Sequence, residues 1–279
     1  MESLLAGATR AQVETDPFPH VVVEGALGRA TADALLAELP AVDFLTEGAT
    51  YGSNEYFVTS AGRTLHHGDL APVWRDFTTV HSSPAFAREI FALFGDLFPG
   101  PVRAITEGLG DAGYGVRGLD EPPPGGVMLD AQIALNTPVV GLPTSVKGAH
   151  VDRPRALYGA TYYLRHDDDP CTGGELQLLR MRGSKLRRFD HVFAPDDECE
   201  VVRTIPYAHD TFVCWPNSID ALHRVSPRSE TPRFRCYANL LAEVETPWYD
   251  WRPYQRDPDA QRPKGRRKSL AQRIKARIR

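Results

Sequence analysis

The sequence contains few cysteines and no long apolar run. Its 279 residues include four cysteines, none of them in a CxxC pair, so neither a structural zinc knuckle nor a disulfide scaffold is expected. No stretch approaches the roughly 18 consecutive apolar residues that a membrane-spanning helix needs. The N-terminus has no basic region followed by an apolar run, so we expect no signal peptide and a reducing, cytoplasmic setting.

The sequence also has no large excess of one charge, but its charges are unevenly distributed. The formal net charge is −4, from 32 basic and 36 acidic residues. Eight of the basic residues lie in segment 264–279, so the rest of the chain carries 24 basic against 36 acidic residues, a net charge of −12. An acidic body argues against nucleic acid as a partner. The basic tail is either a solvated terminus or an amphipathic helix that contacts an acidic partner or an anionic membrane surface.

The pattern of apolar residues changes along the chain. Residues 18–24 predict a short strand, Thr31 to Leu39 a helix capped by Thr31, and 84–98 a second helix. We expect these N-terminal helices to pack outside the main sheet. Segment 108–126 is rich in glycine and proline and predicts a loop. From 128 to 245, short apolar runs alternate with turn residues, which is typical of an antiparallel sandwich or barrel.

The strongest candidate for chemistry is the tripeptide His150-Val151-Asp152. On a strand, side chains two residues apart point to the same face, so an imidazole and a carboxylate would lie side by side. His223 is the candidate for a third ligand from a neighbouring strand. Two histidines and one carboxylate on one face of an octahedral metal leave three open positions, the arrangement found in non-haem Fe(II) oxygenases.

Two arginines follow His223 at a useful spacing. Arg233 lies ten residues after it and Arg235 two further on, so on a strand both would face the interior. A 2-oxo acid chelated to iron has a distal carboxylate that a buried arginine fork would bind. The ten-residue step favours Arg233 for this contact, with Arg235 nearer one end of the barrel.

Several motifs in order give the sequence a wider resemblance. They are HVD at 150–152, TYYL at 161–164, GGELQLL at 173–179, WPNSIDALHRV at 215–225 and PRFRCYANL at 232–240, preceded by PFPHVVVEGAL at 17–27. With these motifs the sequence resembles the Fe(II)/2-oxoglutarate-dependent dioxygenase superfamily, and most closely its prolyl-hydroxylase-like branch.

The resemblance implies a mainly β fold with flanking helices, a double-stranded β-helix or jelly roll. It implies one oxygenase domain over 1–263, with an α/β part over 1–107 and a core over about 128–245, followed by the basic tail 264–279. It implies Fe(II), 2-oxoglutarate and O₂ as cofactor and cosubstrates, with ascorbate as a supporting reductant.

The resemblance also assigns individual residues. It implies iron ligation by His150, Asp152 and His223, and a salt bridge from Arg233 to the distal carboxylate of 2-oxoglutarate, with Arg235 as the fallback. It implies further contacts to the cosubstrate, which are made by Tyr163 and Asn136. Halogenases of the superfamily replace the iron-binding aspartate with a small residue, so Asp152 favours hydroxylation.

The motifs indicate a reaction class and do not identify a substrate. We expect a small metabolite, such as an amino-acid or sugar-derived natural-product intermediate. A peptidyl or carrier-bound residue is the alternative within the enzyme class, and a catalytically inactive jelly-roll binding module is the alternative outside it. Segments 108–126 and 139–149 are candidate lids. Lys147, Arg153 and Arg155 flank the site and are candidates to meet an anionic substrate or carrier group.

Overall fold

A computed structural model describes residues 1–256 of the chain, so the predicted basic tail lies outside the described residues. Six helices precede most of the strands: α1 (Arg29–Ala37), α2 (Val42–Leu45), α3 (Ala61–Leu65), α4 (Pro72–His81), α5 (Pro84–Phe94) and α6 (Gly100–Thr106). Ten strands are described: β1 (Val21–Glu24), β2 (Tyr56–Thr59), β3 (Tyr114–Val116), β4 (Val127–Asn136), β5 (Ala156–Leu164), β6 (Leu176–Met181), β7 (Cys199–Ile205), β8 (Thr211–Pro216), β9 (His223–Val225) and β10 (Arg235–Val244). None of the helices within 1–256 has the length and apolar character to cross a membrane.

The two predicted helices are present, with different ends. Helix α1 begins at Arg29 after Gly28, so Thr31 lies inside its first turn and the predicted cap is wrong. Helix α5 begins at Pro84, because the Ser83 hydroxyl accepts a hydrogen bond from the amide of Phe86 at 3.2 Å and proline suits the first helical position.

A large sheet forms the centre of the molecule. Its strand order is β1-β8-β5-β10-β4-β2, with antiparallel neighbours, and β3 adds to β4 in parallel. Strand β3 lies within the glycine- and proline-rich segment 108–126, so that segment is not entirely a loop. A smaller antiparallel sheet has the order β7-β6-β9. The predicted mainly β fold with flanking helices, a jelly roll, is confirmed.

The pleat of the large sheet separates two environments. The even-numbered residues of β5 and β10 and the odd-numbered residues of β4 pack against the helices, in a core that includes Trp74, Phe77 and Ile90. This bears out the prediction that the helices lie outside the main sheet. The residues of opposite parity point towards the small sheet, where Tyr163 and Tyr237 share a second core with Leu176. Because side chains alternate along a strand, one set builds the helix interface and the other is left for a cavity.

The cysteines form no disulfide bond in the structure. All four, Cys171, Cys199, Cys214 and Cys236, are free thiols. Cys214 and Cys236 are fully buried and lie on strands of the large sheet, where they behave as small apolar side chains. The fold is therefore held by packing and backbone pairing, and disulfide bonds play no part in it.

Candidate metal centre

Backbone pairing brings the HVD tripeptide next to strand β9. The His150 amide donates to the His223 carbonyl at 2.9 Å, and the His223 amide donates to the His150 carbonyl at 2.9 Å. The two histidines are therefore direct antiparallel partners, and their ring centroids lie 4.3 Å apart. Asp152 lies two residues beyond His150, and its carboxylate oxygen Oδ1 is 4.0 Å from Nε2 of His223.

Hydrogen bonds fix which nitrogen of each imidazole faces inward. Nδ1 of His150 lies 2.9 Å from the Gly148 carbonyl oxygen, and Nδ1 of His223 lies 2.9 Å from the Ala221 carbonyl oxygen. A carbonyl only accepts hydrogen bonds, so Nδ1 carries the proton and Nε2 keeps its lone pair. Such a backbone contact is the usual way in which a metal-binding histidine is oriented. One donor atom from each of His150, Asp152 and His223 lies within 4.8 Å of the other two.

The three candidate ligands are buried to different degrees. His150 and His223 are 8% and 5% exposed, and Oδ2 of Asp152 is buried with no hydrogen-bond partner among the described residues. Burial, together with the nearby His223 and Lys147, holds the pKa of His150 well below its ordinary value. His150 is therefore neutral near pH 7, which is the form that binds a metal. A buried carboxylate oxygen without a partner is costly unless a ligand satisfies it.

Gly159 and Trp215 form the wall behind Asp152. A Cβ atom at Gly159 would lie 2.5 Å from Oδ2 of Asp152 and 2.8 Å from the Trp215 ring. The Trp215 ring is also 4.8 Å from the ring of His223. Only glycine at position 159 lets the carboxylate and the indole approach strand β5 this closely.

The candidate ligands open onto a cavity of about 190 Å³ between the sheets. Its floor is formed by inward-pointing side chains of β4, β5 and β10: Gln132, Asn136, Thr161, Tyr163, Arg235, Tyr237 and Asn239. Segment 139–149 contributes Thr144, Ser145, Val146 and Lys147 to the lining, and its role as a lid stays a prediction. No residue of segment 108–126 lines the cavity, so the structure does not support a lid there.

The structure corrects the prediction for the two arginines. Strand β10 begins at Arg235, so Arg233 precedes the strand and its side chain does not reach the cavity. The Arg233 side chain is 42% exposed and forms an ion pair with Asp168. Arg235 is 2% exposed and lines the cavity. The expected inward orientation of Arg233 is therefore wrong, and Arg235, predicted to lie nearer one end, is the arginine inside.

Arg235 lies in a cage of tyrosines. Its guanidinium carbon is 5.1, 4.9 and 4.5 Å from the ring centres of Tyr163, Tyr207 and Tyr237, distances that favour cation–π attraction. One guanidinium nitrogen donates to the Gly174 carbonyl at 3.1 Å, and Nε has no hydrogen-bond partner within residues 1–256. Arg235 has no carboxylate within ion-pair distance among residues 1–256.

The two other side chains predicted to contact the cosubstrate, Tyr163 and Asn136, lie in the same part of the cavity as Arg235. Tyr163 projects from β5 and belongs to the Arg235 cage. Asn136 is the last residue of β4, is 3% exposed and is the cross-strand partner of Arg235. Of the flanking basic residues, Lys147 lines the cavity and Arg153 and Arg155 do not.

Arg228 is a cavity residue that the sequence analysis did not identify. It lies in the turn-like segment between β9 and β10, yet it is 1% exposed and lines the cavity. Its guanidinium donates to Oδ1 of Asn54 and to the carbonyls of Thr137 and Arg233 at 3.0–3.1 Å. Tyr237 and Asn239 could have been identified, because they continue the two-residue period that begins at Arg235.

No protein-family profile matches the chain, and no curated protein matches it either. Solved structures with a similar fold include a prolyl 4-hydroxylase from Pseudomonas putida, 15% identical with a TM-score of 0.44, covering 81% of this chain and 93% of that one. A prolyl 4-hydroxylase from Phytophthora capsici is 16% identical with a TM-score of 0.42, and this chain covers only 59% of it while 81% of this chain is matched. A 2OG-Fe(II) oxygenase family protein from Burkholderia pseudomallei is 14% identical with a TM-score of 0.41, covering 85% and 88% of the two chains. Sequence identities this low relate these structures to the present chain in fold alone.

Proposed function

We propose that this protein is a non-haem Fe(II)- and 2-oxoglutarate-dependent oxygenase that hydroxylates a C–H bond of a small metabolite. The observation that carries the proposal is the convergence of His150, Asp152 and His223 on one point of a cavity that also holds the buried Arg235. The candidate metal ligands and the candidate anion-binding arginine therefore line a single cavity.

The donor set fits a divalent iron ion. Two imidazole nitrogens and one carboxylate, all from one side, leave open positions on an octahedral metal. The backbone carbonyls of Gly148 and Ala221 hold both rings in the tautomer that binds metal. A metal ion would also neutralise the Asp152 carboxylate, whose buried Oδ2 has no hydrogen-bond partner among residues 1–256.

The rest of the cavity fits a dicarboxylate such as 2-oxoglutarate. Arg235 is a buried cation without a carboxylate partner, and its planar fork suits a carboxylate. Burial raises the pKa of Tyr163, so its hydroxyl stays protonated and able to donate a hydrogen bond. We propose Arg235 as the partner of the distal carboxylate, with Tyr163 and Asn136 as neighbouring polar contacts.

The metal and 2-oxoglutarate together supply the oxidising chemistry when they are bound. The protein's own residues hold, orient and shield these groups. His150, Asp152 and His223 hold the metal, and Arg235 fixes the orientation of the cosubstrate. The indole of Trp215 covers His223 and excludes water from that side.

The size of the cavity supports a small substrate. Its volume of about 190 Å³ is below the usual range of ligand pockets, about 300–1,000 Å³. A small metabolite would fill what the cosubstrate leaves free. A peptidyl substrate would have to insert the end of one side chain into the cavity. Peptides are therefore the second class of candidate substrate to be tested, after small metabolites.

The proposal is tested with the purified full-length protein, Fe(II) and 2-oxoglutarate. We expect Fe(II)-dependent succinate release, which a suitable substrate accelerates with a mass gain of one oxygen. Asp152→Gly should abolish hydroxylation and weaken divalent metal binding, because it removes the anionic ligand. The proposal fails if the wild-type protein binds neither metal nor 2-oxoglutarate, or if Asp152→Gly binds metal as well as the wild type does.

A further inference from the structure

The charges on the cavity wall are not balanced. Three cationic side chains line the cavity, Lys147, Arg228 and Arg235, against one carboxylate, Asp152. Among residues 1–256 no other acidic side chain lines it. If the proposed function is right, a divalent metal ion adds two positive charges and the 2-oxoglutarate dianion removes them. An excess of two positive charges, three minus one, then remains on the cavity wall.

The neighbouring tyrosines do not remove this excess. Burial raises the pKa of Tyr163, Tyr207 and Tyr237, so these phenols remain neutral around Arg235. Arg228 is held by amide and carbonyl oxygens, which are dipoles and leave its net charge in place. An uncompensated cation in a poorly solvated cavity attracts an anionic ligand.

Lys147 is the cation that is free to meet such a ligand. Arg235 is assigned to 2-oxoglutarate, and Arg228 is held at three points. Lys147 is exposed at the mouth of the cavity, three residues before His150, and its ammonium group lies 5.4 Å from the ring centre of Tyr56. It forms no ion pair within the described part of the chain. The segment that carries it also contributes Thr144, Ser145 and Val146 to the cavity lining.

The floor of the cavity carries groups that suit a small polar molecule. Gln132, Asn239 and Thr161 are direct partners on β4, β10 and β5, so their side chains form one row across three strands. The Asn239 amide donates to the Tyr56 hydroxyl at 3.2 Å, which connects this row to the ring beneath Lys147. One ammonium group above a row of amides and a hydroxyl matches a carboxylate attached to a polar body.

From this arrangement we infer that the primary substrate is a small carboxylate, and that its carboxylate is bound by Lys147 at the mouth of the cavity. The inference rests on the proposed function, because it presumes that 2-oxoglutarate occupies the Arg235 end. Lys147 would then be a specificity-determining residue: it selects acids over their neutral amides and esters and holds them beside the metal.

The test uses the methyl protons of acetate and acetamide as probes of the full-length protein loaded with Mn(II) and 2-oxoglutarate. A small molecule that visits the cavity comes close to the paramagnetic ion, so its proton relaxation is accelerated even when binding is weak. We expect accelerated, saturable relaxation for acetate and little for acetamide. Lys147→Met should reduce the acetate affinity about tenfold, the loss expected when a charged hydrogen-bond partner is removed.

Arg153→Met is the matched control, because Arg153 is a basic residue near the site whose side chain does not line the cavity. It should leave the acetate effect within about twofold, because Arg153 does not line the cavity and so cannot contact acetate bound there. The inference is overturned if acetate and acetamide relax alike in the wild type, or if Lys147→Met and Arg153→Met behave alike. Binding of 2-oxoglutarate to the Mn(II)-loaded protein is titrated first in the same samples. If 2-oxoglutarate does not bind, the proposed function fails. If it binds but acetate has no effect, only the carboxylate inference fails.

Discussion

Arg233 and Arg235 have the same chemistry and opposite environments. The Arg235 side chain is enclosed by three tyrosine rings, whereas the Arg233 side chain is partly exposed and paired with Asp168. A charge pair with solvent access contributes little, about 0–1 kcal/mol. A buried guanidinium that meets a buried carboxylate contributes much more to binding, because neither group has water as an alternative partner.

This contrast gives a prediction for cosubstrate binding. Arg235→Ala should leave the distal carboxylate of 2-oxoglutarate buried without its partner, a loss on the order of 2–5 kcal/mol. The 2-oxoglutarate dissociation constant, measured by titration of the Mn(II)-loaded protein, should rise roughly 30-fold or more. Arg233→Ala is the matched control and should change it by less than about threefold. A larger effect of Arg233→Ala would show that the exposed arginine, and not the buried one, meets the cosubstrate.

Gly159 offers a test of the metal site that leaves every proposed ligand in place. The added methyl group of Gly159→Ala would lie 2.5 Å from Oδ2 of Asp152, too close for any real contact, so the carboxylate or the Trp215 ring has to move. Displacing a ligand in this indirect way should weaken divalent metal binding by about 10- to 100-fold. Calorimetric titration with Mn(II) measures the change.

The control for this variant is Gly110→Ala. A Cβ at Gly110 meets nothing within 4 Å, and its φ of −76° suits any residue, so metal binding should be unchanged. Wild-type metal affinity in Gly159→Ala would mean that Asp152 is not a ligand or that the wall behind it yields without strain.

At the scale of elements, strand β4 joins the cavity to the helices through Asp130. Its carboxylate accepts hydrogen bonds from the Ala61 amide at the start of α3 and from the Gln132 side chain, both at 2.8 Å. Asp130 is 1% exposed, and burial raises its pKa from 3.8 to about 6, against the opposing effects of these hydrogen bonds and of Arg117. The fold therefore favours the protonated carboxyl group.

The raised pKa predicts how stability depends on pH. Because the folded-state pKa lies above the unfolded value, the stability from this group is complete below about pH 3.8 and is lost as the pH rises through about 6. Two pKa units correspond to roughly 3 kcal/mol. Asp130→Asn should remove this part of the pH dependence between about pH 4 and 7, as measured by urea unfolding. The exposed Asp69→Asn is the control, and identical pH profiles for Asp130→Asn and the wild type would refute the prediction.

At the scale of the whole molecule, Arg228 connects parts of the chain that are distant in sequence. Its guanidinium binds Asn54 before β2, Thr137 after β4 and Arg233 before β10. A single buried side chain therefore fixes the relative positions of three segments that lie far apart in the sequence.

Replacement of this arginine should destabilise the fold. Arg228→Met keeps the aliphatic part of the side chain but removes the donor from three oxygen acceptors, two of them in buried hydrogen bonds, and a buried acceptor left without a donor costs about 1–3 kcal/mol. We expect the free energy of unfolding in urea to fall by about 3 kcal/mol or more. Arg182→Met, at an exposed position, should change it by less than about 0.5 kcal/mol. An Arg228→Met protein as stable as the wild type would mean that relief of the buried charge offsets the lost hydrogen bonds.

The sequence by itself determined the donor set and the face on which each strand residue lies. The HVD tripeptide and His223 supply two imidazoles and a carboxylate. Asn136 and Tyr163, which the family resemblance implied, lie on the faces of β4 and β5 that line the cavity. These features are local, because backbone pleating fixes the direction of a side chain from its neighbours alone.

Only the tertiary structure decided which of the cations lie inside. Periodicity gives Arg233 and Arg235 the same face, but the point at which β10 begins depends on its pairing with β4 and β5, which fixes Arg235 opposite Asn136. Arg228 is buried and Lys147 lines the cavity because of contacts with Asn54 and Tyr56, residues roughly 90 to 170 positions away. Burial of a loop side chain is set by such distant partners, so no pattern within the loop itself could have shown it.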